Sequence, residues 1–370
     1  MLWFDWSNLS PDKNTEKHPG NHAGQNTGQT SKLNASETTE ATKTTTEKPP
    51  RKPYVVRSSL LGLFVLLNSL AYIGAYSFTN LVRPRSIDIG IPRPEISKTP
   101  KFLGLTYSTQ RISINKKEWL ELWSIPAATG SKPFSAMPLA AKGTIVLFPG
   151  SGGNKAQHLL APAQEFHRLG YDVVLVDFRG VGGSSGHTST IGVREAQDVT
   201  IVVNYLERSL QQSAPHRPLI LYGLSMGGAA ILRAVAYQGI KPDGIILELP
   251  FARLLNATRS RVRKLGLPAF PIAESLVFWG GFQHGFNGFI HNPEDYAKTV
   301  HCPTLVLHGQ RDPWTTTSDI QKIVQNLQGP KQLVIFPKAR HELLVKVDRP
   351  TWTQTIDQFL QNLPFSSASR

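Results

Sequence analysis

The pentapeptide Gly223-Leu224-Ser225-Met226-Gly227 constrains the fold of this chain more than any other stretch. The apolar run Pro218 to Tyr222 (PLILY) precedes it, and Ala229-Ala230-Ile231-Leu232 follows. A short continuous apolar run bounded by a glycine turn reads as a strand covered on both faces. The segment from Ser225 to about Tyr237 reads as a helix. A serine in so tight a strand-to-helix turn needs small neighbours, because the backbone is strained and the helix packs close to the strand. The turn lifts the hydroxyl clear of the sheet. Ser225 is therefore the predicted nucleophile, with a merely structural turn as the plainer alternative.

A serine hydroxyl attacks only when a base takes its proton, and the base needs an acid to hold its tautomer. Both have candidates later in the chain. Asp312 lies in HGQRDPW, after the apolar run Thr304 to Leu307, and His341 lies in FPKARHE, after Gln332 to Ile335. The order Ser225, Asp312, His341 is the order that a nucleophile elbow requires, and both partners fall in loops at carboxyl ends of strands. His308 is expected to support the loop that carries Asp312. The oxyanion needs two donors. One is the backbone N–H of Met226. The other is expected from Pro149-Gly150-Ser151-Gly152-Gly153-Asn154, with Ser151 preferred and Gly152 as the alternative. The sequence PGSGGNK does not match GxxxxGK[ST], so a phosphate-binding loop is set aside.

The rest of residues 100 to 366 supports this reading. Leu103 to Ile114 and Trp119 to Ile125 alternate as an antiparallel hairpin would. Thr144 to Phe148, Tyr171 to Val176 and Gly244 to Leu247 are further strands, separated by helical segments over 155–169 and 190–210. Alternating strands and helices indicate a sheet with helices on both faces. Residues 251–301 break the rhythm and are too long for an ordinary connection. They hold Arg253, Arg259, Arg261, Arg263 and Lys264, with no acid over 253–264, and then GGFQHGFNGF. They are expected to form a helical cap, the simpler alternative being an excursion with no role at the site.

Composition separates the first hundred residues from this unit. Residues 8 to 53 have no aromatic residue and nine threonines, too little apolar surface to offset the entropy of ordering. Residues 1–57 are thus expected to be a disordered tail. Ser58 to Val82 is 25 residues without a charge, between Arg57 and Arg83. About 20 such residues cross the hydrocarbon of a bilayer, so a transmembrane anchor is expected over 58–82. A helix docked on the catalytic unit or a cleaved signal peptide are the alternatives, and basic residues on both sides leave the orientation open. Residues 83–101 contain four prolines and read as a spacer to a catalytic domain over 102–366. The single cysteine, Cys302, excludes an intramolecular disulfide, a four-cysteine zinc site and a CxxC motif. The net charge of +14 is dispersed, with no basic–aromatic recognition motif, and nucleic acid is not an expected partner.

The pieces FPGSGGN (148–154), DFRGVGGSSG (177–186), GLSMGG (223–228), CPTLVLHGQRD (302–312) and ARHE (339–342) resemble the α/β-hydrolase superfamily, in its serine-aminopeptidase-like and lipase/esterase branches. The resemblance implies an α/β fold with a mainly parallel eight-stranded sheet and no cofactor or metal. It also implies a Ser225/Asp312/His341 triad with Ser151 and Met226 as oxyanion donors. Pro149-Gly150 stands where many members have His-Gly, so the support of that loop must differ. Asp177 to Gly180 is read as scaffold. The expected function is a membrane-anchored, single-pass serine hydrolase of carboxylic esters. Its expected partners are the membrane, through 58–82, and a small acyl substrate, with membrane lipid among the candidates. A serine peptidase or aminopeptidase, a thioesterase or acyltransferase, and an inactive membrane-bound scaffold are the alternatives. Chain length, leaving group and oligomeric state are not legible.

Overall fold

The computed structural model describes residues 53–80, 98–127, 141–213 and 217–364. Of the expected tail only 53–57 and of the spacer only 98–101 fall among them; the rest of both lies outside the described residues. Eight strands form one sheet: β1 (Ser108–Ser113), β2 (Trp119–Ile125), β3 (Thr144–Phe148), β4 (Asp172–Val176), β5 (Leu219–Leu224), β6 (Gly244–Glu248), β7 (Thr304–Gly309) and β8 (Lys331–Phe336). Their order is β1-β2-β4-β3-β5-β6-β7-β8. β2 runs antiparallel to β1 and to β4, and every other pairing is parallel.

Parallel neighbours need crossovers, and these supply the helices. In chain order they are α1 (Pro53–Thr79), α2 (Lys155–His158), α3 (Leu160–Arg168), α4 (Glu195–Ser213), α5 (Met226–Gln238), α6 (Leu254–Lys264), α7 (Ala269–His284), α8 (Pro293–Tyr296), α9 (Thr317–Asn326), α10 (Leu344–Val347) and α11 (Arg349–Gln361). Strand alternation divides the core into two layers. Val146, Phe148, Leu219 and Leu221 face α4, α5 and α9, whereas Ile145, Leu147, Ile220 and Tyr222 face α3 and α11. Both layers are dry, which explains why the central strands carry almost no polar residues.

Two expected helices are shortened. The helical segment over 155–169 divides between α2 and α3. Pro162 cannot donate to the carbonyl of His158, and its ring excludes a continuous helix there. α4 begins at Glu195 rather than 190, because the Glu195 carboxylate accepts from the amides of Thr190 and Gly192 and folds 190–194 into a loop.

The inserted segment 251–301, expected as a cap, is helical and holds α6, α7 and α8. α1 lies along it. Trp279 Nε1 donates to Asn68 Oδ1 at 3.3 Å and Gln283 Nε2 donates to the Tyr72 carbonyl at 2.9 Å. The rings of Tyr72 and Trp279 meet edge to face at 5.4 Å. A small residue permits the approach at Gly74, where a Cβ would sit 3.3 Å from Leu276. The helix end is tied in as well, since the Ser189 amide donates to the Thr79 carbonyl at 2.8 Å. Asn68, the polar residue that interrupts the apolar run, thus has a partner in the cap. Leu61, Leu63, Phe64, Val65, Leu66, Leu67, Leu70 and Ile73 of α1 are exposed, and Leu61–Thr79 is long and apolar enough to cross a membrane.

Candidate active site

Ser225 sits between β5 and α5 with φ 50° and ψ −109°, a left-handed conformation costly for a residue with a Cβ. The glycines around it are dictated by contact. A Cβ on Gly223 would fall 2.5 Å from the Gly228 nitrogen, and one on Gly227 would fall 2.5 Å from the Phe148 carbonyl oxygen. The Ser225 amide donates to the Glu248 carbonyl at 2.8 Å, which fixes the turn to the end of β6.

The three side chains named from the sequence come together at the carboxyl rim of the sheet. His341 Nε2 lies 3.1 Å from Ser225 Oγ, and His341 Nδ1 lies 2.7 Å from Asp312 Oδ2. The carboxylate of Asp312 is fully buried; its other oxygen accepts from the amides of Trp314, at 2.7 Å, and Thr315, at 3.3 Å. Such bonds hold the carboxylate in one orientation. His308 is also buried, but neither of its ring nitrogens has a hydrogen-bond partner among the described residues, so no hydrogen bond links it to the loop that carries Asp312. Burial lowers the His308 pKa, against the opposing pull of Asp312.

The loop 149–154 closes the other side. Gly152 has φ 75°, so the chain turns sharply between Ser151 and Gly153. Asn154 caps α2, accepting from the Gln157 amide while the Gln157 side chain accepts from the Asn154 amide. The support missing from Pro149-Gly150 comes from His158, one turn later: its Nδ1 accepts from the Gly150 amide at 3.2 Å. Burial lowers the His158 pKa to about 4, with the nearby His341 and Lys346 acting in the same direction, so at neutral pH the ring is uncharged and able to accept. A Cβ on Gly153 would meet that ring at 2.0 Å. Lys155, also buried, pairs with Asp177 and, at 3.0 Å, with Glu121, and its amide donates to Asp177 Oδ1 at 2.7 Å. The lysine of PGSGGNK thus spends its charge on two carboxylates, and the turn read as scaffold anchors the loop.

Sequence reasoning missed His158, Lys155 and Glu248. The Glu248 side chain, at the end of β6, accepts from the Leu344 amide and from Trp352 Nε1, each at 2.8 Å. One residue thus holds the nucleophile turn by its carbonyl and the chain just after His341 by its carboxylate. Burial raises its pKa, and the two donors oppose that shift. A glutamate inside an otherwise apolar strand (GIILE) was the available signal. Among the described residues no group of His, Cys, Asp and Glu is disposed to hold a metal ion.

The chain is similar to known proteins. The family model described as serine aminopeptidase, S33, matches residues 140–279. A lysophosphatidylserine lipase, ABHD12, of Xenopus tropicalis is 24% identical over 331 residues, which cover 82% of this chain and 81% of that one. Its counterpart in Danio rerio is 26% identical over 251 residues, covering 64% of this chain and 61% of the relative. The uncharacterized protein YqkD of Bacillus subtilis is 28% identical over 249 residues, covering 65% and 78%. Among solved structures, the esterase Pf2001 of Pyrococcus furiosus superposes with a TM-score of 0.59 at 20% identity, covering 78% of this chain and 99% of that one. Sheet order and nucleophile turn give the chain the α/β-hydrolase fold, and the likenesses of sequence support the α/β-hydrolase superfamily.

Proposed function

We propose that the protein is a membrane-anchored serine hydrolase that cleaves carboxylic esters of apolar, lipid-like acyl groups. The observation that carries the reading is the line of hydrogen bonds from Ser225 through His341 to Asp312 at the rim of the sheet. In this mechanism His341 Nε2 takes the Ser225 proton as Oγ attacks the acyl carbonyl. Asp312 keeps the proton on Nδ1 and stabilises the imidazolium that forms. The amides of Met226 and Ser151 receive the oxyanion, and losing one such donor costs about 3 kcal/mol of transition-state stabilisation. His341 then protonates the leaving alcohol, and water repeats the sequence to release the acid.

Two features favour a lipid-like substrate. Relatives are named as lysophosphatidylserine lipases, and large apolar side chains stand exposed on both α1 and the cap. Leu63, Phe64, Leu67, Leu70 and Ile73 are exposed on α1, and Phe270, Phe278, Phe282 and Ile290 on or next to α7. A groove of about 690 Å³ runs between the two helices, lined by Phe64, Tyr72, Phe278 and Trp279 among others. With α1 in a bilayer, this cap would meet acyl chains rather than water.

The matching family model carries an aminopeptidase name, which supports a peptidase as the second reading. A bound free amine would need a carboxylate near the scissile bond, yet the cap helix closest to Trp314 presents arginine and lysine. A fluorophosphonate probe should label the wild type and not Ser225→Ala. p-Nitrophenyl esters from acetate to palmitate should be turned over faster than aminoacyl-p-nitroanilides. Absence of labelling would remove the hydrolase reading, and faster amide turnover would reverse the ranking.

A further inference from the structure

The five cations of residues 253–264 fall into different environments. Arg253 pairs with Glu294, and Arg259 pairs with Glu274 through Nε at 2.8 Å. No carboxylate lies within ion-pair distance of Arg261, Arg263 or Lys264 among the described residues. Arg263 faces solvent. Arg261 and Lys264, three residues apart and so on one helix face, both lie over the indole of Trp314. The Arg261 guanidinium carbon is 5.0 Å and Lys264 Nζ is 5.8 Å from the ring centre. Trp314 in turn meets the ring of His341 edge to face at 6.5 Å. Two cations are thereby held one indole away from the general base.

Their charge is poorly compensated. Of the five donors of a guanidinium, Arg261 commits one, from Nη1 to the Ala257 carbonyl at 3.0 Å. The negative group that acts on it is Asp312, whose oxygens are engaged by His341 and by the amides of Trp314 and Thr315. Burial draws the Arg261 pKa down, and Asp312 counters it. Desolvating a cation without a bonded anion is costly, and an arriving anion relieves that cost. Arginine offers paired donors to a phosphate or carboxylate, and lysine adds a second charge.

We infer that Arg261 and Lys264, laid against Trp314, form a subsite for an anionic group, phosphate or carboxylate, carried by the acyl substrate on its leaving-group side. The inference rests on the hydrolase reading and adds to it the charge class of the substrate. The cap then selects for a headgroup while the rim of the sheet performs the bond cleavage.

The test compares two soluble esters, 1-butyrylglycerol and 1-butyrylglycerol 3-phosphate, with the full chain in neutral vesicles. The readout is the ratio of their kcat/KM values, which cancels any general loss of folding or turnover. The wild type should favour the phosphate, and that preference should shrink as ionic strength rises. Arg261→Gln should lower the ratio by about tenfold or more, as expected for hydrogen bonds to a charged group. The exposed Lys264→Gln should lower it less, and Arg261→Lys should restore part of it. Equal handling of the two esters by the wild type, or an unchanged ratio in both glutamine variants, overturns the subsite. So does a loss confined to vesicles containing phosphatidylserine, which would assign the cations to the bilayer surface. Fluorophosphonate labelling of Ser225 in the same samples reads the hydrolase assignment separately.

Discussion

Around Ser225 the groups in line with the hydroxyl are tied down: His341 is held by Asp312, Asp312 by two amides, Gly150 by His158 and Leu344 by Glu248. In the cap, by contrast, Phe270, Phe278 and Phe282 are exposed, and no carboxylate among the described residues pairs with Arg261 or Lys264. The first region is finished without a ligand, and its hydrogen bonds are those that an acyl transfer would use. The second is unfinished in both apolar and charged terms. Under the proposed function, the contrast would separate the work of bond cleavage, preorganised within the protein, from the work of recognition, which leaves surface and charge for others to complete.

The contrast can be broken or sharpened by experiment. The largest effect is expected at the rim. Asp312→Asn should lower kcat by about 10⁴-fold, because the amide favours the wrong tautomer of His341. Stopped-flow or steady-state ester hydrolysis reads this, and thermal unfolding should show the variant folded. Gly153→Ala is next. Its methyl group drives against the His158 ring, frees the Gly150 amide and should lower kcat by about 10²-fold with KM little changed. A loss in KM alone would mean that the loop contacts substrate instead of organising donors.

In the cap, Trp279→Ala removes the ring contact with Tyr72 and the bond to Asn68. Turnover of an ester dissolved in vesicles should fall a few-fold, while a soluble short-chain ester is hydrolysed at the wild-type rate. Equal losses on both would place Trp279 in the rim's business. The smallest effect concerns acid. His158 is neutral in the folded protein, with a pKa lowered to about 4 chiefly by burial, and titrates near the ordinary 6.5 when unfolded. The unfolded chain therefore takes up the proton first. Stability from this group is complete above pH 6.5 and falls as pH drops through the interval down to about 4. In His158→Gln the fall in melting temperature across that interval should be shallower than in the wild type.

Chain order and local chemistry made the strands and the three rim residues legible, since a nucleophile elbow leaves few places for an acid and a base to follow. Gly223 and Gly227 were readable for the same reason: their smallness answers a local backbone demand. His158 was hidden because its task depends on a helix folding back beneath its own loop, and nothing in the spacing of Gly150 and His158 announces that. Lys155 and Asp177 were each visible, but their pairing joins two crossovers of the sheet. Arg261 and Lys264 were seen as part of an acid-free stretch; their stacking on Trp314 requires the cap to lie over a loop some fifty residues later. Tertiary contacts between polar groups leave no periodic trace, whereas core packing does.

The close fit at Gly74, with the bonds from Trp279 to Asn68 and from Gln283 to Tyr72, makes α1 a splint for the cap instead of a loose leash. A leash lets its cargo swivel; a splint sets the height and tilt at which the cargo rides. With this helix in a bilayer, the cap would ride at a depth determined by helix register. Adding one turn between Arg57 and Asn68 would move the outer end of the helix by about 5.4 Å and leave the cap where the splint holds it.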